Sequence, residues 1–358
     1  MSKVVGFCNL HNCPSLGELT STRPMGPTTF LGRYGIMDFT MSNFSNSGIG
    51  HIGILIDRNI RSVQSHVGTG RPWINNTKKS GVKLFLNEKD INTKNNTDIN
   101  NIRQNFDLYP EMIADDYIIS VPYFVTSFDF RNVLEKHSGQ ADITIICKEV
   151  EGSNTDFATC KCLRISNGLV DSFIPFDKKI KNLVCLDTYI LSKKAFEYIL
   201  SNFKDDISLD KAIEKIIENK TFKVHYFENK GYVAPIISFE QYCKQSFDLL
   251  NYSMRLQLFK PDWPIYTVTN DTPPAIFGSS ADVKNSFVAN GCKINGEVKN
   301  SILSRNVVVK KGTSVNNCIL FSNTVIYADA QKVITDKNVA LKNKSINKEM
   351  KLIKKEDK

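Results

Sequence analysis

The sequence predicts an α/β domain followed by a coiled parallel β-helix, and two patterns carry that prediction. Short apolar runs rich in β-forming residues, 4–10 and 49–56 first among them, are bounded by turn residues, as strands buried in a parallel sheet are. From about Tyr266 the texture changes. Val283-Lys-Asn-Ser-Phe-Val, Val298-Lys-Asn-Ser-Ile-Leu and Val315-Asn-Asn-Cys-Ile-Leu recur at intervals of 15 and 17 residues. Short aliphatic strands separated by Gly and Asn turns, as at Gly291, Gly296 and Gly312, suggest a hexapeptide-type solenoid over a small antiparallel sheet.

Residues 4–10 form the first expected strand. Residues 23–49 follow, RPMGPTTFLGRYGIMDFTMSNFSNSGI. Pro24, Gly26, Pro27, Gly32 and Gly35 rule out a long helix there. Ser and Asn at 42, 43, 45, 46 and 47 line an otherwise apolar segment. The stretch reads as a glycine-broken polar loop at the carboxyl end of a strand, where open α/β sheets bind ligands. An ordinary surface loop is the competing reading. Residues 49–56 read as a buried strand and 58–66 as a helix ending at Gly68-Thr69-Gly70. The Asn- and Lys-rich residues 75–105 read as a strand plus an exposed loop. Strands are expected over 117–121 and 142–149, with Asp115 and Asp116 on a preceding loop. Residues 157–165 and 168–176 read as a hairpin broken at Asn167-Gly168. Residues 183–191 form a further strand and 209–217 an amphipathic helix, and a helix over 239–254 leads out of the domain. The expected division is a first domain over 1–245, a linker helix and loop over 246–265, the β-helix over 266–345 and a basic tail over 346–358.

At 358 residues the chain is long enough for two domains with real cores. Its 41% hydrophobic and 23% charged content is that of a soluble globular protein. No apolar run approaches the ~20 residues of a membrane span, and no basic-plus-apolar leader is visible, so a cytoplasmic protein is expected. The nine scattered cysteines read as reduced thiols, and Cys160-x-Cys162 lacks a second pair at zinc-site spacing. The net charge of +9 owes much to a lysine-rich end that reads as a solvated or frayed terminus. With no nucleic-acid module in the chain, no nucleic-acid partner is expected, and an anionic substrate or regulator accounts for the charge equally well.

Leu19, Thr20, Arg23, Phe30, Gly32, Tyr34, Ile36, Asp38, Phe39, Ser42, Asn43 and Asn46-Ser47-Gly48-Ile49 form a dense, specific pattern. On these residues the chain resembles the glucose-1-phosphate adenylyltransferase (ADP-glucose pyrophosphorylase) family of sugar-nucleotide pyrophosphorylases, over roughly residues 1–340. The resemblance implies a Rossmann-like nucleotidyltransferase domain with a mixed sheet. It also implies a C-terminal left-handed parallel β-helix used for subunit contacts. The family joins ATP and glucose 1-phosphate, with two aspartates positioning Mg²⁺.

The departures from the family pattern are concentrated in its chemistry. The family's glycine-rich phosphate loop aligns with residues 10–16, which hold no glycine, carry Ser15 at the arginine position and lose a donor at Pro14. His11 in that loop reads as incidental. The phosphate-binding lysine aligns with Met25, and Arg33 keeps a cation while the next family arginine is Gly35. In residues 97–105, Arg103, Gln104 and Asn105 fit the family, whereas its glycine and aspartate are missing. The first metal aspartate is Tyr123, a phenol with pKa near ~10 and so a poor Mg²⁺ ligand. The second is Pro235. The sugar-phosphate lysine is Pro175, and a glycine that lets the sugar approach is Asp187.

Each lost electrostatic group is commonly worth ~3 kcal/mol or more in a transition state, so their joint loss should abolish chemistry. No catalytic residue, metal or cofactor is therefore expected. Arg23, Arg33, Asp38 and Asn43 remain as candidates for residual ligand binding, set against a loop-fixing role for the same four. The pattern resembles the non-catalytic D-type subunit that accompanies a catalytic subunit in glycogen synthesis. A hetero-oligomer with that catalytic subunit, a tetramer by family resemblance, is expected. The alternatives are a stand-alone sugar-phosphate or nucleotide sensor and a residually active nucleotidyltransferase.

Overall fold

The computed structural model describes residues 3–74, 80–87, 89–90 and 92–355. Parts of the expected 75–105 segment and of the expected tail lie outside the described residues. The first unit is built on a nine-stranded mixed sheet. Strands β1 (Val4–Asn9), β2 (His51–Ile56), β3 (Gly81–Leu86) and β4 (Asp116–Ser120) run parallel in the order β4-β1-β2-β3. The others are β5 (Ile143–Val150), β6 (Lys161–Ser166), β7 (Leu169–Pro175), β8 (Asn182–Ser192) and β9 (Val224–Glu228). Strand β8 is antiparallel to both β4 and β5, and β9 is parallel to β5. The β6–β7 hairpin forms where expected, because Asn167 and Gly168 both take the positive φ that a tight two-residue turn demands. Helices cover both faces of the sheet, so its central strands carry continuous apolar runs such as Val4–Cys8 and Tyr117–Ile119. Helices α3 (Asp98–Asn105), α5 (Lys193–Asn202) and α6 (Leu209–Glu218) pack on one face. Helices α1 (Met37–Asn46), α2 (Ile60–Val67), α4 (Arg131–His137) and α7 (Phe239–Asp248) pack on the other.

Helix α1 corrects the reading of residues 23–49 as a loop throughout. Its second half is a helix, buried along all but its last residue. It closes with Gly48 at φ +81° and a bond from the Ile49 N–H to the Phe44 carbonyl, the Schellman stop of an α-helix. Gly6 of β1 lets it lie close, since a Cβ there would sit 2.9 Å from the Phe44 ring. The Ser and Asn residues that suggested a loop serve as hydrogen-bonding studs for neighbouring segments. Thr40 and Asn43 donate to the carbonyls of Val121 and Thr126, Asn46 donates to that of Pro264, and Ser47 accepts from the Phe130 N–H.

Three further expectations are corrected. Asp98–Asn105 is a helix, started by Thr97 accepting from the Asn100 N–H, and not an exposed loop. Asp116 opens β4 instead of preceding it. The expected helix over 239–254 is two helices, α7 and α8 (Tyr252–Leu258). Asn251 caps the second by accepting from Ser253 and Met254.

The second unit is a parallel β-helix of three faces. Short strands such as Lys293–Ile294, Glu297–Lys299 and Ile302–Leu303 stack in parallel on their equivalents in the neighbouring coils. Asparagines hold the corners at positive φ, where they tolerate left-handed backbone. One ladder runs Asn306–Asn323–Asn338 through side-chain bonds of 3.2 and 3.0 Å. The expected basic tail starting at residue 346 is instead a strand, Ser345–Ile353, paired with Ala330–Thr335. Its lysines point outward while Met350 and Leu352 pack against the first unit, and Lys354 lies 3.4 Å from Glu18. Among the described residues, no helix is long and apolar enough to cross a membrane.

Candidate functional site

A cavity of about 340 Å³ opens at the carboxyl ends of β1 and β4, the place where open α/β sheets take ligands. The loop after β1 forms one wall. His11 is 2% exposed, and its backbone N–H donates to Asn9 Oδ1 at 2.9 Å. Its Nε2 accepts from the Asn101 side-chain amide at 3.0 Å, which requires a neutral ring. Burial pushes the His11 pKa down to about 4. Beneath the loop, Asn9 donates to Asp98 at 2.7 Å, and Asp98 also accepts from the Ile99 and Leu209 N–H groups. Burial raises the Asp98 pKa. The wall where a phosphate loop would stand thus presents a neutral imidazole and a buried carboxyl.

The opposite wall carries Tyr123 and Asp187. Tyr123 Oη donates to Asp187 Oδ2 at 2.7 Å, and Tyr189 Oη reaches Oδ1 at 3.2 Å. Asp187 sits at φ +43° in a bulge of β8 between Cys185 and Thr188, a left-handed conformation that costs a non-glycine residue ~1 kcal/mol or more. The two tyrosine bonds hold it there. Burial, and after it the charge of Asp187, push the Tyr123 phenol well up, so it remains a donor. Burial likewise raises the pKa of Asp187.

Tyr123 and Pro235 do come together. Val233–Pro235 pairs with Phe124–Thr126, placing Pro235 opposite Phe124, and the Ile236 N–H donates to the Tyr123 carbonyl at 2.8 Å. The fold therefore juxtaposes the two positions at which the resemblance implied metal ligands, and fills them with a phenol and a pyrrolidine. Among the described residues, no group of three or more His, Cys, Asp or Glu is placed to hold a metal. The residues present do not fit the Mg²⁺ of the family.

Pro175 lies away from the cavity, exposed at the end of β7. Its partner across the hairpin, Lys161, is on the cavity wall and was missed from sequence. Lys161 Nζ is 3.0 Å from Asp210 and 4.0 Å from Glu214. Met25 is buried in the core beside a second hollow that Arg23 also lines. The four candidate ligand residues do not converge. Arg23 grips both carboxylate oxygens of Asp336 at 2.7 and 3.0 Å, joining the two units. Arg33 lies over the Tyr34 ring at 5.3 Å. Asp38 is fully buried, accepts from the Gly35 N–H and pairs with His66 Nε2 at 2.6 Å. Asn43 donates to Thr126 and accepts from the Phe128 N–H and the Trp263 indole. Besides Lys161, the wall residues Asp98, Tyr189 and Asp210 also went unread; they share no local motif, and only the topology gathers them.

Comparison with known proteins agrees with this architecture. The nucleotidyl transferase family model matches residues 15–232, and a GlmU-like C-terminal hexapeptide model matches residues 273–348, consistent with a left-handed β-helix. The chain is 32% identical over 333 residues to the glycogen biosynthesis protein GlgD of Bacillus subtilis (strain 168), covering 91% of this chain and 87% of that one. It is 31% identical over 325 residues to the glucose-1-phosphate adenylyltransferase of Clostridioides difficile (strain 630), covering 87% and 82%. With that of Thermosipho melanesiensis (strain DSM 12029 / CIP 104789 / BI429) it shares 28% over 314 residues, covering 84% and 74%.

Proposed function

Because the chain belongs to the nucleotidyl transferase family, in the group that holds glycogen biosynthesis protein GlgD and the glucose-1-phosphate adenylyltransferases, we propose that it is a non-catalytic regulatory or structural subunit of glucose-1-phosphate adenylyltransferase in glycogen biosynthesis. It works in the cytoplasm, in a hetero-oligomer with a catalytic subunit, by raising that subunit's activity or its response to effectors. The observation that carries this reading is the Tyr123–Asp187 bond beside Pro235. Phosphoryl chemistry of this kind relies on Mg²⁺ and on cations that neutralise developing charge. Here a protonated phenol bonded to a carboxyl stands at the first ligand position, a proline stands at the second, and His11 is neutral. The domain over 1–245 keeps the architecture of the enzyme, and the β-helix over 266–345 serves subunit contact.

A mixing assay tests it. The purified chain alone should form no ADP-glucose from ATP and glucose 1-phosphate. Added to the catalytic subunit, it should co-elute with it and raise its rate or effector sensitivity. Robust turnover by the chain alone, or the absence of any complex and any rate change, would refute the proposal.

A further inference from the structure

The 340 Å³ cavity falls within the ~300–1,000 Å³ of small-molecule sites. Three carboxylates stand on its wall, and each is already engaged by the protein. Asp98 accepts from Asn9, Ile99 and Leu209, Asp187 from Tyr123 and Tyr189, and Asp210 from Ser208 and Lys161. Lys161 is the one lysine among the described residues of the wall, and it is shared between Asp210 and Glu214. A phosphate entering this space would face carboxylates with its only cation already taken, which is unfavourable for a desolvated anion. A free amine gains less than it would from bare carboxylates, since these oxygens already accept from neighbouring donors and Asp210 is already paired with Lys161.

What the wall still offers is neutral hydrogen bonding. Carboxylate oxygens carry two lone pairs each and can accept from added hydroxyls beside their present donors. Thr159 and Asn12 add a hydroxyl and an amide at the mouth, and the rings of Tyr123, Phe124 and Tyr189 add apolar surface. We propose that this cavity binds an uncharged, hydroxyl-rich ligand of monosaccharide size, a free sugar in place of a sugar phosphate. The proposal rests on the non-catalytic reading, because both follow from the missing phosphate-binding cations.

Isothermal titration of the full chain with glucose, glucose 1-phosphate and putrescine tests it. Glucose should bind saturably, glucose 1-phosphate about tenfold or more weakly, and putrescine not at all. Thr159→Trp at the exposed mouth should remove glucose binding with the melting temperature unchanged. Asp187→Asn, which keeps the side-chain size, should weaken it about tenfold. The proposal falls if glucose 1-phosphate or putrescine binds as tightly as glucose, if glucose fails to saturate at millimolar concentration, or if binding survives Thr159→Trp. A chain that stimulates its partner yet ignores glucose overturns this proposal alone. A chain that makes ADP-glucose by itself overturns the regulatory reading.

Discussion

Gly35 stands where the resemblance implied an arginine, and its bare backbone is used within the molecule. A Cβ at this position would lie 2.6 Å from His66 Nε2, so the bare backbone admits the imidazole that pairs with Asp38. Asp38 is fully buried, and stripping a buried charge of its partner costs ~3–5 kcal/mol. His66→Ala should therefore lower the unfolding free energy by about that much in urea, and a loss under ~1 kcal/mol would show that Asp38 finds another partner. His11 supplies a second residue-scale prediction. Its pKa of about 4 lies below the ordinary 6.5, so between those values the unfolded chain binds more protons than the folded one. Stability from this group is complete above pH 6.5 and is lost as the pH falls toward 4. Between pH 7 and pH 5 the loss is ~2 kcal/mol. In urea melts the native chain should lose about that much more unfolding free energy between pH 7 and pH 5 than His11→Gln does, and equal losses would place His11 in solvent.

At the scale of elements, α1 and the C-terminal strand Ser345–Ile353 do the joining. Helix α1 binds backbone from the 121–130 and 264–266 segments through its own side chains. Its Ser and Asn residues looked like loop chemistry because a sequence shows their polarity and not the carbonyls and amides they will meet. The C-terminal strand looked like a frayed tail for the reverse reason: its dense lysines masked the apolar positions Met350 and Leu352. Removing residues 345–358 strips five ladder partners from Ala330–Thr335 and uncovers the hollow that the strand shares with Leu16 and Phe239. We expect a loss of ~2 kcal/mol or more, together with faster amide exchange in the 10–18 loop. Unchanged exchange there would mean that the strand supports the β-helix alone.

At the scale of the whole molecule, the scaffold of a nucleotidyl transfer enzyme persists around an altered cleft. Two carboxylates placed where the resemblance implied metal ligands would still lack the glycine-rich loop, the arginine and the lysine that it also implied. Tyr123→Asp combined with Pro235→Asp should therefore leave ADP-glucose formation undetectable in a coupled pyrophosphate assay. Measurable turnover would show that metal ligation alone was limiting.

Periodicity and turn chemistry in the chain determined the alternation of strands and helices, the Asn167-Gly168 hairpin and the coiled repeat after Tyr266, because these depend on neighbours a few residues apart. The residue types at the positions where the resemblance implied cations and carboxylates were equally legible, since they are a matter of residue identity. The contents of the cavity were decided only by tertiary structure. A bulge between Val170 and Ser172 shifts the hairpin register so that Pro175 faces Lys161 and not Cys160, and a second bulge in β8 turns Asp187 toward Tyr123. Each is a one- or two-residue slip in strand pairing, set by packing across the sheet and unmarked in the local sequence.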